Sequence, residues 1–218
     1  YRIPSPSDIT IRSYQEISLL INHTKILFIE VFFGYIIGVS FGIILASIIS
    51  LSSFFKPILS LLVIASQSIP KVAIAPLVIL WLGFGIIPKI FFSAFVCILP
   101  MVISVTRGLT TIDQDLLDLS KTWKMSKFQL FWKIRLPNSI PYIIDGMKIS
   151  LPLSLIGAVV GEFVLADGGL GYLVELSSSN FDTPLAFSAL FFMSLLGLSM
   201  YSVVCFLEKI IKSKIGGW

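Results

Sequence analysis

Histidine occurs once and cysteine only twice among the 218 residues. A lone His23 leaves no histidine-built metal or catalytic cluster, and it reads as a polar residue at a membrane interface. Cys97 and Cys205 both stand inside apolar runs, where cysteine acts as a small packing side chain, so neither a disulfide nor a metal pair is expected. Charge is scarce as well: Asp, Glu, Lys and Arg make up 13% of the chain, against roughly 25% in soluble domains. The phosphate-cradling GxxxxGK(S/T) pattern is missing, as is HExxH. The chain therefore has no ordinary seat for ATP, no cofactor is expected, and an enzyme reading has nothing positive to rest on.

What fills the chain is hydrocarbon. Hydrophobic residues account for 56% of it, and the mean hydropathy is +0.96. These values describe an integral membrane protein, all-α, because only helices or closed barrels satisfy their backbone in lipid and the apolar runs have helical length. Five stretches qualify as spans: 26–50, 57–83 (interrupted by Pro70 and Pro76), 86–106, 141–165 and 185–207. Spans and short connections use up the length, leaving one polytopic bundle with no second soluble domain.

Lysine and arginine set the expected orientation. The connection 107–148 with its flanks holds Arg107, Lys121, Lys124, Lys127, Lys133, Arg135 and Lys148, and the tail adds Lys209, Lys212 and Lys214. These belong on the cytoplasmic side, together with Lys56. Loop 166–184 has no cation and carries Asp167, Glu175 and Asp182, so it is expected outside, with Lys89 in a short outer turn. Residues 1–25 become an external arm and 26–218 the membrane domain, with a cytoplasmic loop at 107–140. Five spans with the C-terminus inside leave residue 1 outside, so a further N-terminal span is expected upstream of Tyr1. The net charge of +4 borders the spans and forms no soluble patch, so the expected contact is membrane lipid and not nucleic acid.

The cytoplasmic loop is itself patterned. Leu116, Leu119 and Trp123 recur at helical spacing, and after a break near Lys124–Ser126 so do Phe128, Phe131 and Trp132. Two short amphipathic helices follow: acidic residues crowd the start of the first, Ser126 caps the second, Lys133 and Arg135 close it, and Pro137 stops it before Pro141 begins the next span. Such a hairpin lies on the lipid surface, packs under its own bundle, or docks into a partner.

Within the spans, position decides the reading of each ionisable group. Glu30 is expected to snorkel to the outer interface, and Asp145 and Lys148 to pair one turn apart. Glu162, flanked by Gly157 and Gly161, which permit close helix approach, lines or gates a path or else is a satisfied structural carboxylate. Gln67, Pro70 and Lys71 cluster where proline breaks the second span, a pattern suited to the wall of a wet path. "DGGLGYL" at 167–173 lacks a preceding strand and reads as a re-entrant or external turn, not a dinucleotide site.

Several of these stretches occur together in one recognisable order. Asp118-Leu119-Ser120, a break, "LPNSIPYIIDGMKIS", Gly161-Glu162 and "GGLGYL", preceded by "PSPSDI" and "SIPKVAIAPLVILWLGFGIIPKIF", resemble the permease subunits of ABC importers. The likeness is to the nitrate/sulfonate/taurine type, which also includes bicarbonate and thiamine-precursor systems, and it runs from residue 3 through nearly the whole chain. It implies a type I importer permease fold in a bacterial inner membrane, two permease copies enclosing a path, two ABC ATPase subunits below and an external solute-binding protein. It also implies that the loop carries the coupling helix seated in the ATPase, through Asp118, Leu119, Ser120, Trp123, Lys124, Phe128, Phe131 and Trp132. Here Asp118-Leu119-Ser120 stands where that family usually has Glu-Ala-Ala, and Lys124 stands at its glycine. An ion-coupled secondary carrier is the alternative from another class. It needs mid-membrane carboxylates and inverted repeats, of which only Glu162 is in view. A membrane enzyme or assembly factor lacks a catalytic constellation.

Overall fold

The computed structural model describes residues 4–51, 71–165 and 167–215. Helix α1 (Pro6–Gln15) begins with a capping box: the Asp8 N–H donates to Ser5 Oγ at 3.2 Å and the Ser5 N–H donates to Asp8 Oδ2 at 3.2 Å. The Ser5 hydroxyl, donating to Asp8 Oδ2 at 2.6 Å, and the Ser5 N–H together hold the Asp8 carboxyl below its ordinary range. Arg12 then ties α1 to residue 182 through an ion pair of 2.7 Å with Asp182, which raises the guanidinium pKa. The expected external arm is thus a helix and a corner, and α2 (Ile17–Leu51) starts well before residue 26.

A 3-10 turn (Lys71–Ile74) leads into α3 (Ala75–Leu82), followed by α4 (Ile86–Thr110), α5 (Gln114–Thr122) and α6 (Lys127–Leu130). A π turn (Phe131–Arg135) joins α6 to α7 (Leu136–Leu165); α8 (Leu170–Ser179) and α9 (Thr183–Ile215) complete the order. Four helices among the described residues are long and apolar enough to cross a bilayer: α2, α4, the continuous Lys127–Leu165 helix and α9. Of the expected span 57–83, the stretch up to Pro70 lies outside the described residues, and its end is the 3-10 turn and α3.

Helix α4 is the central rod, packed between α2 and α7. Lipid tails are as apolar as leucine, so spans associate through close approach and buried hydrogen bonds. Both devices are present. A Cβ at Gly38 of α2 would stand 2.7 Å from Cys97 Cβ on α4, and one at Gly157 of α7 would stand 3.0 Å from Ser93 Cα. The close approach read from Gly157 and Gly161 is therefore real, and its partner is α4. Between α4 and α7, the Ser93 and Ser154 hydroxyls meet at 2.6 Å, and the Ser150 hydroxyl donates to the Cys97 carbonyl at 3.2 Å. Gly38-Val39-Ser40-Phe41-Gly42 fits a hydrolase GxSxG spacing, but it lies in the middle of α2 with no strand-to-helix elbow, and its glycines serve packing.

Two expectations fail here. Pro137 does not stop the second hairpin helix, which runs straight into the span: the π turn widens the helix just before the proline, so the missing N–H and the ring are accommodated without a break. Lys148 does not pair with Asp145. Its Nζ reaches across to Glu208 of α9 at 2.6 Å, while Asp145 stays exposed.

Candidate functional site

The hairpin forms as the residue pattern demands. Asp113 caps α5 by accepting the Asp115 N–H at 3.1 Å, and Ser126 and Gln129 form a reciprocal capping box on α6. Between them Lys124 adopts φ 51°, the left-handed conformation that closes the end of α5: its N–H donates to the Lys121 carbonyl and the Met125 N–H to the Ser120 carbonyl, each at 3.0 Å. The turn expected of a glycine is built by a lysine. A Cβ in this conformation costs about 1 kcal/mol. Lys124→Gly is therefore expected to raise stability by about 1 kcal/mol, read as a higher melting temperature in detergent.

The hairpin is fastened at both ends. Asn138 Nδ2 donates to the carbonyls of Gly108 (3.1 Å) and Thr111 (2.8 Å) at the end of α4, and Arg135 Nη1 donates to the Ser50 carbonyl (3.0 Å) in the last turn of α2. The C-terminus of α4 leaves carbonyls without intrahelical partners, and Asn138 takes up two at that end. The sequence marks Arg135 only as a basic residue closing the second helix, and Asn138 only as part of "LPNSIPYIIDGMKIS"; neither tether is legible there.

The aromatic residues of the hairpin part company. Leu119 is half-exposed and Trp123 is 64% exposed on the α5 face, where Asp118 forms a solvent-exposed ion pair of 2.7 Å with Lys121. Ser120 is buried, its hydroxyl donating to the Leu117 carbonyl. Phe131 turns inward, 9% exposed, into the core with Met101, Val105 and Leu109. Phe128 and Trp132 lie with ring centroids 6.0 Å apart, tilted by 58°, and face α2 across an apolar groove.

At the far end of the bundle lies a buried cluster of charge. Lys89, on α4, is almost wholly inaccessible; its Nζ lies 3.1 Å from Glu30 Oε1 of α2, pairs with Asp167, and donates to the Gly168 carbonyl at 3.1 Å. Glu162 of α7, also fully buried, adjoins Glu30 and accepts the Gly171 N–H at 2.5 Å from the first turn of α8. Gly169, at φ 102°, sits so close to the Glu162 carboxyl that any Cβ would collide with it. Its N–H donates to His23 Nδ1 at 3.0 Å, so His23 is a bonded residue of this cluster. "DGGLGYL" is accordingly a tight turn opening α8, tucked onto the bundle. Glu30 is not a snorkeller and Lys89 is not an outer-turn residue: each is buried against the other. Gln67 and Pro70 lie outside the described residues, and Lys71 opens the 3-10 turn.

A membrane bundle with a fastened hairpin at one end and a charge clasp at the other has counterparts among known proteins. Residues 38–215 match the family model described as binding-protein-dependent transport system inner membrane component. This chain belongs to that family. The permease is 35% identical over 201 residues to a probable ABC transporter permease protein of Haemophilus influenzae, covering 92% of this chain and 82% of that one. It is 31% identical over 212 residues to the formylaminopyrimidine transport permease of Halalkalibacterium halodurans, covering 97% and 85%. Among solved structures, an inward-facing MetNI methionine ABC transporter chain superposes with TM-score 0.67 at 20% identity, covering 92% of the permease and 98% of that chain, which shows the shared fold. The permease is thus a multi-pass inner-membrane transport subunit of an ATP-driven importer, and ATP hydrolysis belongs to a separate subunit.

Proposed function

We propose that two copies of this permease enclose the path of an importer for a small polar or anionic solute of the thiamine-precursor or sulfonate kind. Relatives named for formylaminopyrimidine and for aliphatic sulfonates support that class. ATPase subunits sit beneath the hairpin, a solute-binding protein delivers from the opposite face, and the C-terminus is cytoplasmic, in keeping with the basic residues around the hairpin and tail.

The observation that carries the coupling role is the unpaired apolar face of α5 and its turn, Leu116, Leu119 and Trp123, on a hairpin bonded to the ends of both α2 and α4. An apolar face held rigid at the end of a bundle is fit for a groove in a partner. Motion of that partner moves the hairpin, and its two tethers carry the displacement into α2 and α4, tilting them as levers around the path in alternating access. Glu162 acts from the clasp, holding α8 on α7 while the path opens and closes at the other end.

The test is the energy source. Membrane vesicles containing the permease with its ATPase and binding protein are expected to accumulate radiolabelled formylaminopyrimidine or an alkanesulfonate only when ATP is supplied. Uptake that survives ATP depletion while an ion gradient is maintained would establish a secondary carrier instead.

A further inference from the structure

The groove walled by Phe128 and Trp132 is not explained by the coupling role. It has a volume of about 690 Å³, and Ile44, Ile48 and Leu51 from the last turns of α2 form its opposite wall. Its one hydroxyl, Ser47 Oγ, is already donated to the Ile43 carbonyl at 2.8 Å. Lys127 aside, such a wall offers a polar solute nothing, which separates the groove from the translocation path.

A second cavity of about 410 Å³ adjoins it, sharing Leu51 and Lys127, and its lining is mixed, half apolar and half polar or basic. Ser50, Thr110 and Arg135 line it together with Lys127, and no carboxylate does so among the described residues. Arg135 uses Nη1 on the Ser50 carbonyl, while its Nε is buried without a hydrogen-bond partner. Lys127 makes no side-chain hydrogen bond or ion pair among the described residues. Two cations with spare donors, set in a cup that opens into a hydrocarbon track at the end of the spanning helices, complement an anionic headgroup with an attached acyl chain.

We propose that an anionic phospholipid of the leaflet on the hairpin side binds here, its acyl chain along the groove between α2 and the α6–α7 helix and its phosphate between Lys127 and Arg135. Trp132, 53% exposed at the rim, sits where an indole favours the headgroup boundary. The site makes a lipid part of the joint between α2 and the hairpin, on a different face from Trp123.

Native mass spectrometry of the purified full chain, titrated with dioleoylphosphatidylglycerol or dioleoylphosphatidylcholine, tests this. Phosphatidylglycerol is expected to bind more tightly than phosphatidylcholine. Lys127→Gln should weaken it roughly fivefold and Lys127→Gln with Arg135→Gln roughly 25-fold, with phosphatidylcholine unaffected. Ile48→Trp, which fills the groove, should weaken both lipids. Because Arg135 also holds α2, the Lys127 variant alone decides if the double variant misfolds. Equal binding of the two lipids, or phosphatidylglycerol binding unchanged in Lys127→Gln, overturns the proposal. So does a photo-cross-linker at position 48 that captures protein rather than lipid in phosphatidylglycerol liposomes.

Discussion

Lys89→Met is expected to cost about 3–5 kcal/mol of stability, the usual consequence of stranding buried charge by removing one partner. Among the described residues Lys89 is the one cation beside Glu30, Glu162 and Asp167, and its side chain also bonds the Gly168 carbonyl. Without it, α2, α4 and the turn before α8 lose their common centre. Thermal unfolding in detergent, followed by size-exclusion chromatography, should show early loss of the monodisperse peak. Pairing the change with Glu30→Gln removes one stranded charge and should recover part of the loss. A single variant that melts with the parent protein would mean that water reaches the cluster and the clasp contributes little.

Trp123→Asp acts at the opposite end and through a different quantity. Its ring is exposed in the chain, so bundle stability should be unchanged, whereas a desolvated aromatic anchor in an interface is worth 2 kcal/mol or more. Retention of the ATPase subunit should fall by roughly 30-fold, and ATP-driven uptake with it, while Trp123→Phe keeps most of both. Quantitative co-purification and uptake in proteoliposomes measure the two effects. Full retention in the aspartate variant, with a normal melting curve, would remove α5 from the docking surface.

The parts legible in the sequence were those set by local chemistry. Hydropathy located four of the five expected spans, Ser126 announced a helix start, Lys124 marked the break, and small residues at Gly157 and Gly161 announced a close neighbour, because each signal is written within a few positions. The clasp was not legible. Glu30, Lys89 and Asp167 are remote in sequence, and a charge near the end of an apolar run looks the same whether it reaches for water or for a buried partner. Lys148 illustrates the same limit: a carboxylate one turn away was the nearer candidate, yet the distant Glu208 has the geometry. In the hairpin, periodicity identified Phe128, Phe131 and Trp132 as one apolar set. Only the fold tells them apart: all three line the groove, but Phe131 is buried in the core while the other two stand exposed.

The π turn at Phe131–Arg135 also stores one residue of slack. It winds five residues through nearly the angle that four take in an α-helix, so excising a single residue there would restore ordinary α-helix and turn the flanking stretches little relative to each other. The same deletion a turn or two later, inside α7, has nothing to absorb it and would rotate everything before it by about 100°, swinging Phe128 away from α2 and aiming the α5 face at a different quadrant beneath the bundle. Those five positions can therefore lose a residue where the helix that follows them cannot.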